Sequence, residues 1–109
     1  MGAVLEISPD SKIRMAAGEE YAYSLLLARE LRAKTVASYT YKIYDSSDTD
    51  VTNTLGGGSS IDEDNIILFG VIATATGKYT LRFIVTCDDL LPDDATPYEF
   101  YAEITLTVV

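Results

Sequence analysis

Between Gly77 and Cys87 the chain reads Gly-Lys-Tyr-Thr-Leu-Arg-Phe-Ile-Val-Thr-Cys. Taken with a period of two, Tyr79, Leu81, Phe83, Val85 and Cys87 fall on one face. Lys78, Thr80, Arg82 and Thr86 fall on the other, with Ile84 as the single apolar intruder. Side chains of a strand point alternately to its two faces, so this pattern predicts a strand with one face in a core and one in water.

Working outward, Gly77 and Tyr79 stand where an immunoglobulin-like sandwich carries its tyrosine corner, a Tyr near the start of strand F tied back to upstream backbone. The position two residues later is Leu81, where antibody domains have a disulfide cysteine, so packing alone would hold this core. The last strand reads the same way. Tyr98, Phe100, Ala102, Ile104, Leu106 and Val108 alternate with Glu99, Tyr101, Glu103, Thr105 and Thr107. Before the central stretch, Ile66 to Ile72 is a continuous apolar run, expected to be a strand buried on much of both faces. Val36 to Tyr44 alternates Ser, Thr and Lys with Tyr and Ile, and favours a strand. Ala3 to Ile7 and Lys12 to Met15 read as one edge strand interrupted at Ser8-Pro9-Asp10.

Two segments resist this grammar. Glu19 to Lys34 is rich in helix formers, acidic at its start and basic at its end, as a helix dipole prefers. Its apolar residues circle a helix instead of striping it, whereas Tyr21, Tyr23, Leu25 and Leu27 line one face of a strand. We read a strand from Tyr21 to Leu27, then a basic loop or short helix near 29–34. Val51 to Leu55 reads as a short strand and Gly56-Gly57-Gly58-Ser59-Ser60 as a flexible connection. That glycine run is no phosphate cradle, because Asp62, Glu63 and Asp64 follow and would repel the anion. The prediction is one domain over 1–109: an all-β, immunoglobulin-like antiparallel sandwich of about seven strands. Its B–C, D–E and F–G loops, read as Arg29–Lys34, Ile61–Asn65 and Asp88–Pro97, would gather at one end.

Composition excludes several functions. The 109 residues carry 17 acidic and 8 basic side chains, a net charge of −9. Nucleic acid and anionic membrane surfaces both require basic patches, so neither is an expected partner. There is no His, and the single cysteine, Cys87, alternates with core positions. Nucleophilic catalysis needs a base beside its nucleophile. Paired-carboxylate hydrolysis needs two acids held in a cleft, which loop acids on a small sandwich do not provide. The expectation is a protein that is not an enzyme. The start carries no basic segment and meets Glu6 early, so no secretory signal is read there, and a soluble protein made in a cytoplasm is expected.

No cofactor is called for. The acids that come nearest to a metal site are Asp45, Asp48 and Asp50, whose alternate spacing suits calcium. They lack the central Gly and terminal Glu of a helix–loop–helix calcium site. Asp62, Glu63, Asp64, Asp88, Asp89, Asp93 and Asp94 form a second acidic group near the loop end; for both groups the readings are a calcium site or solvated turn residues. Tyr44, Ile84 and Tyr101 are aromatic or apolar residues on polar faces, and are the candidate interface positions.

Four segments carry a resemblance: Thr35-Val36-Ala37-Ser38-Tyr39-Thr40-Tyr41, Asp50-Val51-Thr52, Ala75-Thr76-Gly77-Lys78-Tyr79-Thr80-Leu81 and Ala102-Glu103-Ile104-Thr105-Leu106-Thr107-Val108. From Leu31 onward the chain resembles small immunoglobulin-like proteins of tailed bacteriophages and prophages, fibre–tail adaptor subunits among them. The resemblance implies a non-enzymatic virion component of tail, connector or fibre attachment, located in the virion. It would act through contacts with other virion or structural proteins or with copies of itself. The alternative reading is a carbohydrate- or calcium-binding module of a bacterial surface protein.

Overall fold

A computed structural model describes residues 4–9, 11–27, 36–61, 66–93 and 95–109. Eight strands and one short helix follow in order: β1 (Val4–Ile7), β2 (Lys12–Met15), β3 (Glu20–Leu26), β4 (Val36–Asp45), α1 (Thr52–Leu55), β5 (Gly56–Ile61), β6 (Ile66–Ile72), β7 (Gly77–Leu90) and β8 (Pro97–Val108). They form two four-stranded sheets, β1-β3-β6-β5 and β2-β8-β7-β4. In immunoglobulin lettering these are A-B-E-D and A′-G-F-C. The chain is an all-β, immunoglobulin-like sandwich, as the alternation at Gly77–Cys87 predicts. The interrupted first strand switches sheets at its break: β1 pairs in parallel with β3, and β2 in parallel with β8. The break itself is a turn in which the Ser11 N–H donates to the Ser8 carbonyl at 3.0 Å.

The core is where the two period-two faces meet. Leu25, Ile43, Ile67, Val71, Leu81, Phe83, Val85, Ile104 and Leu106 are fully excluded from water. Aromatic rings join the sheets at the centre. Phe83 of β7 stacks on Tyr41 of β4 at 4.9 Å and meets Phe69 of β6 edge-on at 4.9 Å, and Phe69 stacks on Tyr23 of β3 at 5.4 Å. Tyr41 remains polar at its tip, where its hydroxyl donates to the Gly70 carbonyl at 3.1 Å. Burial pushes that phenol's pKa well up, since the phenolate would lose water with no compensating cation.

Gly77 opens β7 at φ +147°, a conformation that L side chains rarely adopt. Tyr79, buried two residues on, donates its hydroxyl to the Ala75 carbonyl at 3.0 Å and so pins the turn entering β7. Tyr79→Phe is expected to lower unfolding free energy by about 1 kcal/mol, the usual net worth of one such bond. Urea denaturation of the pair is the check, and equal midpoints would mean the corner bond contributes nothing.

Two local readings need correction. Val51–Leu55 is not a strand: Thr52–Leu55 is a helical turn. Asp50 Oδ1 accepts both the Thr52 N–H (2.9 Å) and the Thr52 hydroxyl (2.6 Å), which curls the chain and seats Leu55 in the core. Nor is Gly56–Ser60 a free connection; it is edge strand β5, paired to β6 with a register shift between Gly56 and Ser59. Gly57 allows a close approach to β6. A Cβ on Gly57 would stand 3.1 Å from Gly70 backbone, and one on Gly70 would stand 3.0 Å from Gly57. The short helix considered near 29–34 lies outside the described residues. In the preceding segment the strand reading holds, with β3 spanning Glu20–Leu26.

The registers place three connections at one end. The end of β3 pairs with the start of β6, Leu26 opposite Ile66, and the end of β5 meets the same place, Ile61 opposite Ile67. In the other sheet Val36 at the start of β4 pairs with Cys87 near the end of β7, whose hairpin with β8 closes beyond Leu90 and Pro97. A hydrogen bond of 3.1 Å from Tyr39 to Ser59 ties these two sets of strand ends together across the open side of the sandwich. The strand ends that flank 28–35, 62–65 and 91–96 therefore lie at a common end of the sandwich.

Candidate functional site

The described part of that end is the β7–β8 hairpin tip. Past Thr86 the register of the two strands shifts, and Leu90 resumes pairing opposite Pro97. Such an irregularity bends and twists a hairpin, so the tip is aimed differently from the sheet beneath it. Asp93 organises the tip. Its Oδ1 accepts the N–H groups of Ala95 (3.0 Å) and Thr96 (2.9 Å), and its Oδ2 accepts the Thr96 hydroxyl (2.7 Å). The Leu91 N–H donates to the Thr96 carbonyl at 2.7 Å and closes the loop. The tip is thus held by its own hydrogen bonds while standing in solvent.

These bonds favour the ionised carboxylate, led by the Thr96 N–H, then the Thr96 hydroxyl and the Ala95 N–H. They hold the Asp93 pKa down to about 2. The pKa is lower in the folded state, so the ordering that Asp93 provides is complete above the ordinary Asp pKa of about 3.9. It disappears as pH falls through about 2. A carboxyl-carbon NMR titration is expected to give that midpoint, with Thr96→Val moving it upward; an Asp93 midpoint near the ordinary value would refute the bonded tip.

The end is also where exposed apolar surface collects. Ile61 is 41% exposed and Leu90 44%, and these are two of the four large hydrophobic residues that stand in water among the described residues. Sequence reading passed over both. The available signal was Leu90-Leu91 beside Pro92 in an otherwise acidic loop, an apolar pair that no strand face could take inward.

The sequence-predicted positions lie elsewhere. Asp45, Asp48 and Asp50 sit at the end of β4 and in the turn after it, and the Asp45 and Asp50 carboxylates serve the backbone. Asp45 Oδ1 accepts the N–H groups of Ser47 (2.8 Å) and Thr49 (3.0 Å), and Asp50 holds Thr52. The Asp50 carboxyl is pushed below its ordinary range by the Thr52 hydroxyl, then by the Thr52 N–H and the nearby Lys42. Among the described residues no group of three or more acidic or cysteine side chains converges as a metal site. Of the second acidic group, Asp62, Glu63, Asp64 and Asp94 lie outside the described residues. Cys87 is buried, 3% exposed, in the core.

Tyr44, Ile84 and Tyr101 share one surface, the outer face of β2-β8-β7-β4. Ile84 pairs directly with Tyr101, which is 61% exposed, and the Arg82 guanidinium lies 4.9 Å from the Tyr44 ring centre. Gly77 and Tyr79 form the turn at the opposite end from the three connections.

No family model matches the chain, and no curated protein matches it by sequence. Solved structures do resemble it. One is the cysteine protease inhibitor EhICP2 from Entamoeba histolytica, with a TM-score of 0.53 and 9% identity over 97% of this chain and 95% of that one. Another is PbICP-C, solved in complex with falcipain-2, with a TM-score of 0.50 and 13% identity over 99% of this chain and 100% of that one. At such identities the likeness establishes the immunoglobulin-like fold.

These findings overturn the expectation of a phage or prophage virion component of tail, connector or fibre attachment. They overturn equally the expected virion and self-assembly partners and the alternative of a carbohydrate- or calcium-binding surface module. The whole-length neighbours are an inhibitor and a protein complexed with falcipain-2. The reason lies in what the resemblance rested on. Thr35–Tyr41, Ala75–Leu81 and Ala102–Val108 lie largely within β4, β7 and β8 and the turn before β7, and Asp50–Thr52 opens α1. Any sandwich of this topology needs alternating strands and capped turns there, whatever it binds.

Proposed function

We propose that this protein inhibits cysteine proteases by docking the end of the sandwich that carries connections 28–35, 62–65 and 91–96 against the enzyme. The observation that carries this reading is the likeness to EhICP2 along nearly the full length of both chains. The tip geometry supports it. A hairpin held by Asp93 loses little freedom on binding, and preorganisation is what converts a modest contact area into affinity. Ile61 and Leu90 supply apolar surface that is already exposed at that end. With no His in the chain and its cysteine buried, inhibition proceeds by occupying the enzyme, without a covalent step from this side.

The experiment is a titration of the protein against papain and falcipain-2 with a fluorogenic substrate. The expected result is reversible inhibition with a constant of about 1 μM or tighter, corresponding to at least about 8 kcal/mol of binding. The protein should stay uncut on long incubation. Failure to slow either enzyme, or cleavage within 91–96, would overturn the proposal.

A further inference from the structure

We propose that the outer face of β2-β8-β7-β4 is a second docking surface, for an acidic polypeptide segment of a partner protein. It shares no residue with the loop end and does not rest on the inhibitor reading. The first ground is where the positive charge sits. Lys12, Arg14, Lys42, Lys78 and Arg82 are all the basic residues among those described, and the strand alternation places every one of them on this face. Against these five stand Glu99 and Glu103, with Asp50 beside Lys42, Asp48 close enough to act on Arg82, and Asp88 beyond the last paired row. The outer face of the other sheet carries no basic residue; its described charges are Glu6 and Glu20. A chain of net charge −9 therefore gathers the basic residues among those described on one face, and the least opposed of them are Lys12, Arg14 and Lys78. Fields are screened over about 8 Å at physiological salt, so a ligand lying on this face responds to the residues beneath it and not to the total.

The second ground is which of these charges are committed. Arg82 Nε donates to Glu103 Oε2 at 2.8 Å, and Lys42 pairs with Asp50 at 3.7 Å. Lys12, Arg14 and Lys78 make no ion pair with any described residue. They are neighbours. Arg14 and Lys78 flank Thr107 in one cross-strand row, and Lys12 stands two residues along β2 on the same face. The third ground is the apolar centre that a purely electrostatic surface would lack. Tyr101 stands 61% exposed opposite Ile84, with its hydroxyl tied to Glu99 at 3.1 Å. Carboxylates for the uncommitted trio and one apolar anchor for the Ile84–Tyr101 pair describe the complementary segment. Charge complementarity and an aromatic anchor are the usual parts of such an interface.

The test uses the intact protein and a synthetic, amidated nonapeptide of glutamates interrupted by one leucine and one tyrosine. Two-dimensional amide NMR is expected to show shifts at Lys12, Lys78, Ile84 and Tyr101, weakening as salt is raised. A peptide with glutamine in place of each glutamate should leave them still. Lys12→Gln with Lys78→Gln should weaken binding at least tenfold. Thr54→Glu with Ser60→Glu adds the same negative charge elsewhere and should not. Protease inhibition by the Lys12→Gln, Lys78→Gln protein should match that of the parent, which separates this surface from the loop end. Shifts with both peptides alike, shifts elsewhere, or equal weakening by the two double variants would overturn the proposal. Response to dextran sulfate but not to the peptide would also overturn it and assign the face to a sulfated polysaccharide.

Discussion

Phe83→Ala is expected to destabilise the protein by about 3–5 kcal/mol, the cost of a deleted aromatic ring in a core that cannot fully collapse around the void. Phe83 is completely buried, and its ring touches both layers of the sandwich: Tyr41 in its own sheet and Phe69 in the other. Its removal therefore takes away transfer energy, two ring contacts and the spacer between the sheets. Domains of this size have only about 5–15 kcal/mol in hand, so the variant should lose a large share of its stability. Guanidinium denaturation gives the value directly. Tyr101→Ala, on the opposite face of the neighbouring strand, is the control and should move stability by no more than about 0.5 kcal/mol. A Phe83→Ala protein within about 1 kcal/mol of the parent would mean the aromatic cluster is not what joins the sheets.

Replacing 91–96 by a two-residue Asn-Gly turn is expected to weaken protease inhibition by about 100-fold or more, roughly 2.8 kcal/mol, with little change in melting temperature. Leu90 and Pro97 are already paired, so a two-residue hairpin turn can join them without disturbing the sheet. The described residues among those removed are exposed or half-buried and bond chiefly to one another through Asp93 and Thr96. The core should not register the loss. A shortened protein that inhibits as well as the parent would exclude the tip from the interface, even if inhibition itself is confirmed. Asp93→Asn is the finer probe: it keeps the shape and removes the charge that receives the three tip bonds, and should weaken inhibition through loss of order alone.

How much of this was legible in the residues differs from place to place. The strands β4, β7 and β8 were readable because each has an apolar face that a period of two exposes, and β6 because its apolar run is unbroken; one face of β6 is buried and the other half-buried. Glu20–Leu26 was ambiguous by propensity, since Leu and Ala favour helices. Its Tyr and Leu at alternate positions match β6 residue for residue, and pairing decides what propensity leaves open. Thr52–Leu55 and Gly56–Ile61 were misread for a common reason. A four-residue helix and a glycine strand leave no periodic signature of their own. The first depends on a side-chain bond from Asp50, the second on backbone contact with Gly70.

By itself the sequence determined the fold class, the buried face of each long strand, and the exclusion of catalysis by a Ser–His or Cys–His pair. Each of these depends on residue type and spacing along the chain. Only the tertiary structure decided which residues became neighbours on the surface. Ile61 and Leu90 share an end because β5 and β7 both run toward it. Lys12 and Lys78, far apart in sequence, share a face because β8 lies between their strands. Surface sites are made by register and topology, and neither leaves a mark in the local pattern of a chain.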